Sequence, residues 1–148
     1  MVTVAVSYMP EGFSTVTPYL VVRDVAGLVE FLKRTFDATE LDRTVAPDGR
    51  IMNSIVLLGT SRVMMGEVAA GGPTRPAMLY VYVPDVDAIY RRALDAGATS
   101  VSAPADMFYG DRHGGVEDAH GNQWWIATHK EDMTPEELQR GAAAHLRK

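Results

Sequence analysis

Residues 17–24, Thr-Pro-Tyr-Leu-Val-Val-Arg-Asp, and residues 78–85, Met-Leu-Tyr-Val-Tyr-Val-Pro-Asp, are two openings of one kind. Each alternates in the manner of a half-buried strand, so that Tyr19 and Val21 separate from Leu20 and Val22, and Tyr80 and Tyr82 from Val81 and Val83. Each ends on an aspartate placed to cap a helix. After Asp24, the residues Leu28, Phe31, Leu32 and Phe36 recur on one helical face, and the helix is expected to stop near Phe36-Asp37. After Asp85 a second helix is expected to run to about Ala96, with Gly97 as its terminating glycine. A single offset of 61 carries Val22 to Val83, Asp24 to Asp85, Val25 to Val86 and Leu28 to Ile89. Matched residue types at one offset point to two copies of one supersecondary unit.

Working outward, the first copy occupies residues 14–70. Pro47-Asp48-Gly49 turns the chain into an apolar run from Ile51 to Leu58, and Gly59-Thr60-Ser61 sends it back through Arg62–Gly66 as a hairpin. Gly71-Gly72-Pro73 and Pro76 make residues 71–77 a linker. The second copy occupies residues 78–130. A short strand is expected at Thr99–Ser102, a long loop from Ala103 to about Gly114, and a hairpin turning at residues 118–122 into a last strand, Gln123–Thr128. Thr134-Pro135-Glu136-Glu137 is a capping box that opens a helix within residues 131–148. Residues 1–13, with Met9-Pro10-Glu11-Gly12, read as an N-terminal arm. The fold class expected is α+β, two βαβββ modules forming curled sheets in one structural domain.

The totals narrow the function classes. The chain has 148 residues and a net charge of −5, and its basic residues are scattered apart from Arg91-Arg92. Nothing resembles a phosphate-tracking stripe, so nucleic acid is not an expected partner. No apolar run approaches the roughly 20 residues that span a bilayer, so no membrane partner is expected either. There is no cysteine, which removes disulfides and thiolate chemistry and suits a cytoplasmic location. Gly-x-Ser-x-Gly, phosphate-loop and dinucleotide-binding patterns are also missing.

Residues 17–24 with Phe31, and Tyr80–Asp87 with Ala96-Gly97-Ala98, resemble the module openings of the vicinal oxygen chelate superfamily, which includes glyoxalases, bleomycin-resistance proteins and dioxygenases. More specific are Met107-Phe-Tyr-Gly-Asp-Arg112, Asp118-Ala-His-Gly-Asn122, Trp124-Trp-Ile-Ala-Thr-His129 and Glu131-Asp132, which resemble the PhnB-like subgroup. The resemblance spans roughly residues 14–140. It implies sheets that curl into a cup and, as in most members, a homodimer. It also implies, for metal-using members, a His on each first strand and a Glu near each last strand around a divalent ion that acts as Lewis acid. Here the first-strand positions hold Thr17 and Met78. The last-strand position of the second module holds Trp125, and its counterpart in the first is Met64 or Met65, with Glu67 just beyond. A thioether and an indole do not hold a hard ion, and a lone Glu67 is not enough. No metal or cofactor is therefore expected.

What remains is a cup lined by aromatic and thioether groups. Met78, Tyr80 and Tyr82 share one face of their strand and suit the concave side, joined by Thr17, Tyr19, Met64 and Trp125, for a flat and partly aromatic ligand. Phe108, Tyr109 and Arg112, on the polar loop 108–112, are further ligand-binding candidates, Arg112 as a donor fork for an anionic group or as a structural partner of Asp111. His113 is a loop candidate for acid–base work, His129 for capping or packing, and His120 and His145 for solvent. The function expected is metal-independent binding of a small molecule. The alternatives are a metal-dependent lyase, isomerase or dioxygenase of the same superfamily, or a dimeric interaction or regulatory protein without a ligand.

Overall fold

The computed structural model describes residues 5–147, and the chain divides into two compact units between Arg75 and Pro76. Residues 1–4 of the N-terminal arm, and Lys148 after the terminal helix, lie outside the described residues.

In the first unit β1 (Tyr19–Val22), α1 (Val25–Phe36), β2 (Thr39–Val45), β3 (Ile51–Leu58) and β4 (Ser61–Glu67) follow in sequence and form a sheet of order β1-β4-β3-β2. β1 runs parallel to β4, and the other pairings are antiparallel. The alternation read from the sequence decides which face is covered. Leu20 and Val22 are fully buried with Val25, Leu28, Val29 and Leu32 of α1, Val56 of β3 and Met65 of β4, while Tyr19 stays exposed on the other face. Asp24 caps α1 by accepting from Gly27 N at 3.0 Å, and Asp37 ends it in the left-handed conformation. β2 is largely exposed and has no apolar alternation by which the sequence would locate it.

The second unit repeats the plan with β5 (Met78–Tyr82), α2 (Val86–Asp95), β6 (Thr99–Asp106), β7 (Asp111–Glu117) and β8 (Gln123–His129), ordered β5-β8-β7-β6. Asp85 caps α2 through Ala88 N at 3.2 Å, and Thr134 caps α3 (Pro135–Leu146) through Glu137 N at 3.1 Å. The offset of 61 extends to the pairing register: Tyr19 lies opposite Met64 and Tyr80 opposite Trp125. Register thus selects Met64, not Met65, as the counterpart of Trp125.

One expectation is overturned. The loop anticipated from Ala103 to about Gly114 is strand for most of its length, and only residues 107–110 connect β6 to β7. The glycines that suggested a loop serve close packing inside a strand instead. A Cβ on Gly114 would meet Pro104 and the Tyr90 ring at 3.1 Å, and one on Gly115 would meet the Trp125 ring at 3.0 Å. Arg112 and His113 are therefore strand residues.

The Asp118–Asn122 turn is held from inside. Asp118 is buried and accepts from His120 N (2.8 Å), Asn122 N (3.0 Å), Asn122 Nδ2 (3.0 Å) and Trp124 Nε1 (2.8 Å). Asn122 in turn accepts from Ala77 N at 3.0 Å, which ties the turn to the chain entering β5.

Candidate functional site

Alternation along β7 sends Asp111, His113 and Gly115 to one face of the second sheet and Arg112, Gly114 and Val116 to the face covered by α2. On the first of these faces Tyr80 and Tyr82 both donate to Asp111 Oδ2, at 2.9 and 2.8 Å. His129, paired with Asp111 in the β7–β8 register, sits 2.7 Å from Asp111 Oδ1 through Nδ1 and 2.7 Å from Asp132 Oδ1 through Nε2. His113 Nδ1 lies 2.9 Å from Tyr109 Oη and 3.3 Å from Tyr80 Oη. The His113 ring is 5.0 Å from that of Trp125, which rests on Gly115. A carboxylate that is only 4% exposed thus organises two tyrosines and a histidine, and a second histidine and tyrosine adjoin them.

The charges follow from these contacts. Burial opposes ionisation of Asp111, but hydrogen bonds from His129, Tyr82 and Tyr80 outweigh it and hold the carboxyl below the ordinary carboxylate range. Burial, then the Tyr109 and Asp111 contacts, push the Tyr80 phenol up, and the Asp111 bond does the same for Tyr82. His129 is raised by Asp111 and then Asp132, which suits an imidazolium donating from both nitrogens. His113 is lowered by burial, with Asp111 partly opposing, which favours neutral imidazole.

The residues singled out in the sequence separate into groups. Met78, Tyr80, Tyr82, Tyr109 and Trp125 lie on or beside this aromatic face, and Met78 and Tyr82 are 67% and 62% exposed. Arg112 does not. It forms a two-pronged pair with Asp87 of α2 (2.9 and 3.0 Å) and reaches Asp106 at 3.4 Å. Its expected partner Asp111 is on the other face, so the guanidinium anchors the helix and is not free for a ligand. Phe108 packs on α3, where a Cβ on Gly141 would meet its ring at 3.0 Å and its rim contacts His145, 5.5 Å between centroids. In the first unit Thr17 and Met64 line a cavity of about 470 Å³ with Tyr8, Met9, Phe13 and Ile55. The arm over it is pinned by Arg62, which donates to Gly12 O and lies 5.5 Å from the centre of the Phe13 ring. Tyr19 spans its own sheet to reach Met52 O at 3.4 Å.

The loop expectation hides the alternation that joins Asp111 to His113, and only the β7–β8 register brings His129, at the end of the last strand, to Asp111. Once residues 111–117 form a strand, Asp111 and His113 must share a face.

A model of the Glyoxalase/Bleomycin resistance protein/Dioxygenase superfamily matches residues 12–126. The chain belongs to this superfamily. It is similar to the uncharacterized protein Rv0887c of Mycobacterium tuberculosis, 34% identical over 148 aligned residues covering 93% of this chain and 85% of that one. Among solved structures it is similar to TioX from Micromonospora sp. ML1, with 30% identity, a TM-score of 0.64, and coverage of 82% of this chain and 100% of the other. The PhnB protein of Bacillus cereus shares the fold at a TM-score of 0.63 and 16% identity, over 78% of this chain and 99% of its own.

Metal-using members of the superfamily hold a divalent ion, and the residues at the corresponding positions here do not fit one. Thr17, Met64, Met78 and Trp125 hold the strand positions where ligands would be needed. Glu67, the one carboxylate nearby in sequence, has both oxygens occupied: Oε2 accepts from Val25 N at 3.0 Å and Oε1 from Ile51 N at 2.8 Å. Its counterpart at the offset of 61 is Thr128, whose hydroxyl accepts from Val86 N at 2.9 Å. Glu67 and Thr128 do the same work, joining the end of the last strand to the first amide of the helix.

Proposed function

We propose that this member of the superfamily binds a small, partly aromatic molecule on the open face of its second sheet, and does so without a metal. The observation that carries the reading is the composition of that face. Trp125 lies against Gly115 and beside His113, the His113 ring adjoins Tyr80 and Tyr80 adjoins Tyr82, and the polar tips of both tyrosines are drawn to Asp111. Rings whose orientation is held by a buried carboxylate lose little freedom when a flat ligand stacks on them, which favours binding. No step in this reading passes through a Lewis acid, because among the described residues no group of three or more metal-ligating side chains is assembled.

The test is thermal stabilisation of the full chain by a panel of planar aromatic compounds, run in excess chelator. A ligand at 100 times its Kd raises stability by about 2.7 kcal/mol through mass action. Stabilisation that survives chelator and vanishes in Trp125→Ala supports the reading. Stabilisation that appears only when a divalent metal is restored would overturn it, as would a panel without any binder.

A further inference from the structure

The hydrogen bonds on this face have a direction, and the direction says which kind of ligand edge His113 meets. Asp111 is an acceptor only, so the protons of Tyr80 and Tyr82 are both committed to it. Tyr80 Oη therefore offers only lone pairs to His113 Nδ1, 3.3 Å away. If the imidazole carried its proton on Nε2, Nδ1 could accept from Tyr109 but would face the Tyr80 lone pairs at 3.3 Å, whereas a proton on Nδ1 serves both oxygens. With the proton on Nδ1, the ring donates to Tyr109 Oη at 2.9 Å and toward Tyr80 Oη, and the chain of donors runs from His113 through Tyr80 to the Asp111 carboxylate. Neutral imidazole in this tautomer leaves Nε2 as an unshared acceptor. Among the described residues Nε2 has no protein partner, and it is not buried.

We propose that His113 Nε2 accepts a hydrogen bond from an acidic hydroxyl on a planar aromatic ligand stacked on Trp125, so that the site selects phenol-type compounds. The inference rests on the binding function proposed above and adds the class of ligand. Tyr80 and Asp111 act as positioning residues: they set the tautomer and take no part in contact with the hydroxyl. Charged and titratable groups facing His113 are Tyr80 from β5, Tyr109 from the β6–β7 connection and Asp111 on its own strand, with His129 behind Asp111.

The experiment compares 2-naphthol with 2-methoxynaphthalene, which keeps the ring system and loses the donor, by probe fluorescence titration against the full chain at neutral pH. The expected result is about tenfold tighter binding of 2-naphthol, the worth of one hydrogen bond to a half-buried acceptor. His113→Asn keeps an amide near the Nδ1 position but has nothing at Nε2, and is expected to remove the preference, weakening 2-naphthol more than the methoxy compound. His113→Gln restores an acceptor near Nε2 and is expected to recover part of it. Tyr80→Phe is expected to weaken the preference by releasing the tautomer. Equal affinity of the two probes for the unaltered chain overturns the inference and leaves the aromatic binding function standing. Failure of both probes to bind counts against the binding function itself, and the inference falls with it.

Discussion

Replacing Glu67 separates a strut from a metal ligand. The carboxylate receives two backbone amides, Val25 N at 3.0 Å and Ile51 N at 2.8 Å, and both of those residues are buried. A hydrogen bond to a charged acceptor is worth about 1.5–3 kcal/mol. Glu67 is itself half-buried, so water can reach part of the gap, and the lower end applies to each bond. Glu67→Ala is therefore expected to cost the first unit about 3 kcal/mol. Glu67→Gln keeps one acceptor but turns an amide group toward the other N–H, and is expected to cost about 1–2 kcal/mol. Glu67→Thr, which copies Thr128, is expected to fall between Ala and Gln or match Gln, because one hydroxyl can serve Val25 N but not Ile51 N as well. Urea unfolding followed by far-ultraviolet circular dichroism gives the differences, and elemental analysis of protein purified without chelator gives the metal content. The reasoning is refuted if Glu67→Ala unfolds within about 0.5 kcal/mol of the unaltered chain, the ordinary range for a neutral surface change. Stoichiometric metal lost on Glu67→Gln would refute it independently.

Asp118→Ala removes the acceptor of the Trp124 indole N–H and of Asn122 Nδ2 in a buried turn, and is expected to cost about 3–5 kcal/mol and weaken the second unit's unfolding transition. A loss under about 1 kcal/mol in the same urea experiment would show that water replaces the carboxylate. The His129 contribution depends on pH with a definite sign. Its folded value is raised above the ordinary 6.5 by Asp111 and Asp132, so the stability it adds is fully present below that value and is lost as pH rises through the folded one. The melting temperature of the unaltered chain should therefore exceed that of His129→Asn by more at about pH 5.5 than at about pH 8.5. An equal gap at both would mean that the imidazolium is not held by the two carboxylates.

The sequence by itself determined the features that depend on neighbours along the chain. Asp24, Asp85 and Thr134 cap helices because a short polar side chain reaches an amide three residues on, whatever the rest of the molecule does. Leu20 and Val22 fall on the buried face because strand geometry alternates. The offset of 61 holds because each module solves the same packing problem with the same spacing. Only tertiary structure decided what depends on strands far apart in sequence. Which of Met64 and Met65 matches Trp125 is a matter of register between β1 and β4, and a shift of one residue would exchange the faces. The strand over residues 111–117 was obscured because Gly114 and Gly115 weaken a local strand signal, and their role appears only when Tyr90 and Trp125 close over them. Arg112 had an acidic neighbour in Asp111, yet β pleating turns adjacent side chains to opposite faces, and the guanidinium found Asp87. The gathering of Tyr80, Tyr82 and His129 on Asp111 joins three strands, and a long-range convergence of that kind leaves no periodic trace in the sequence.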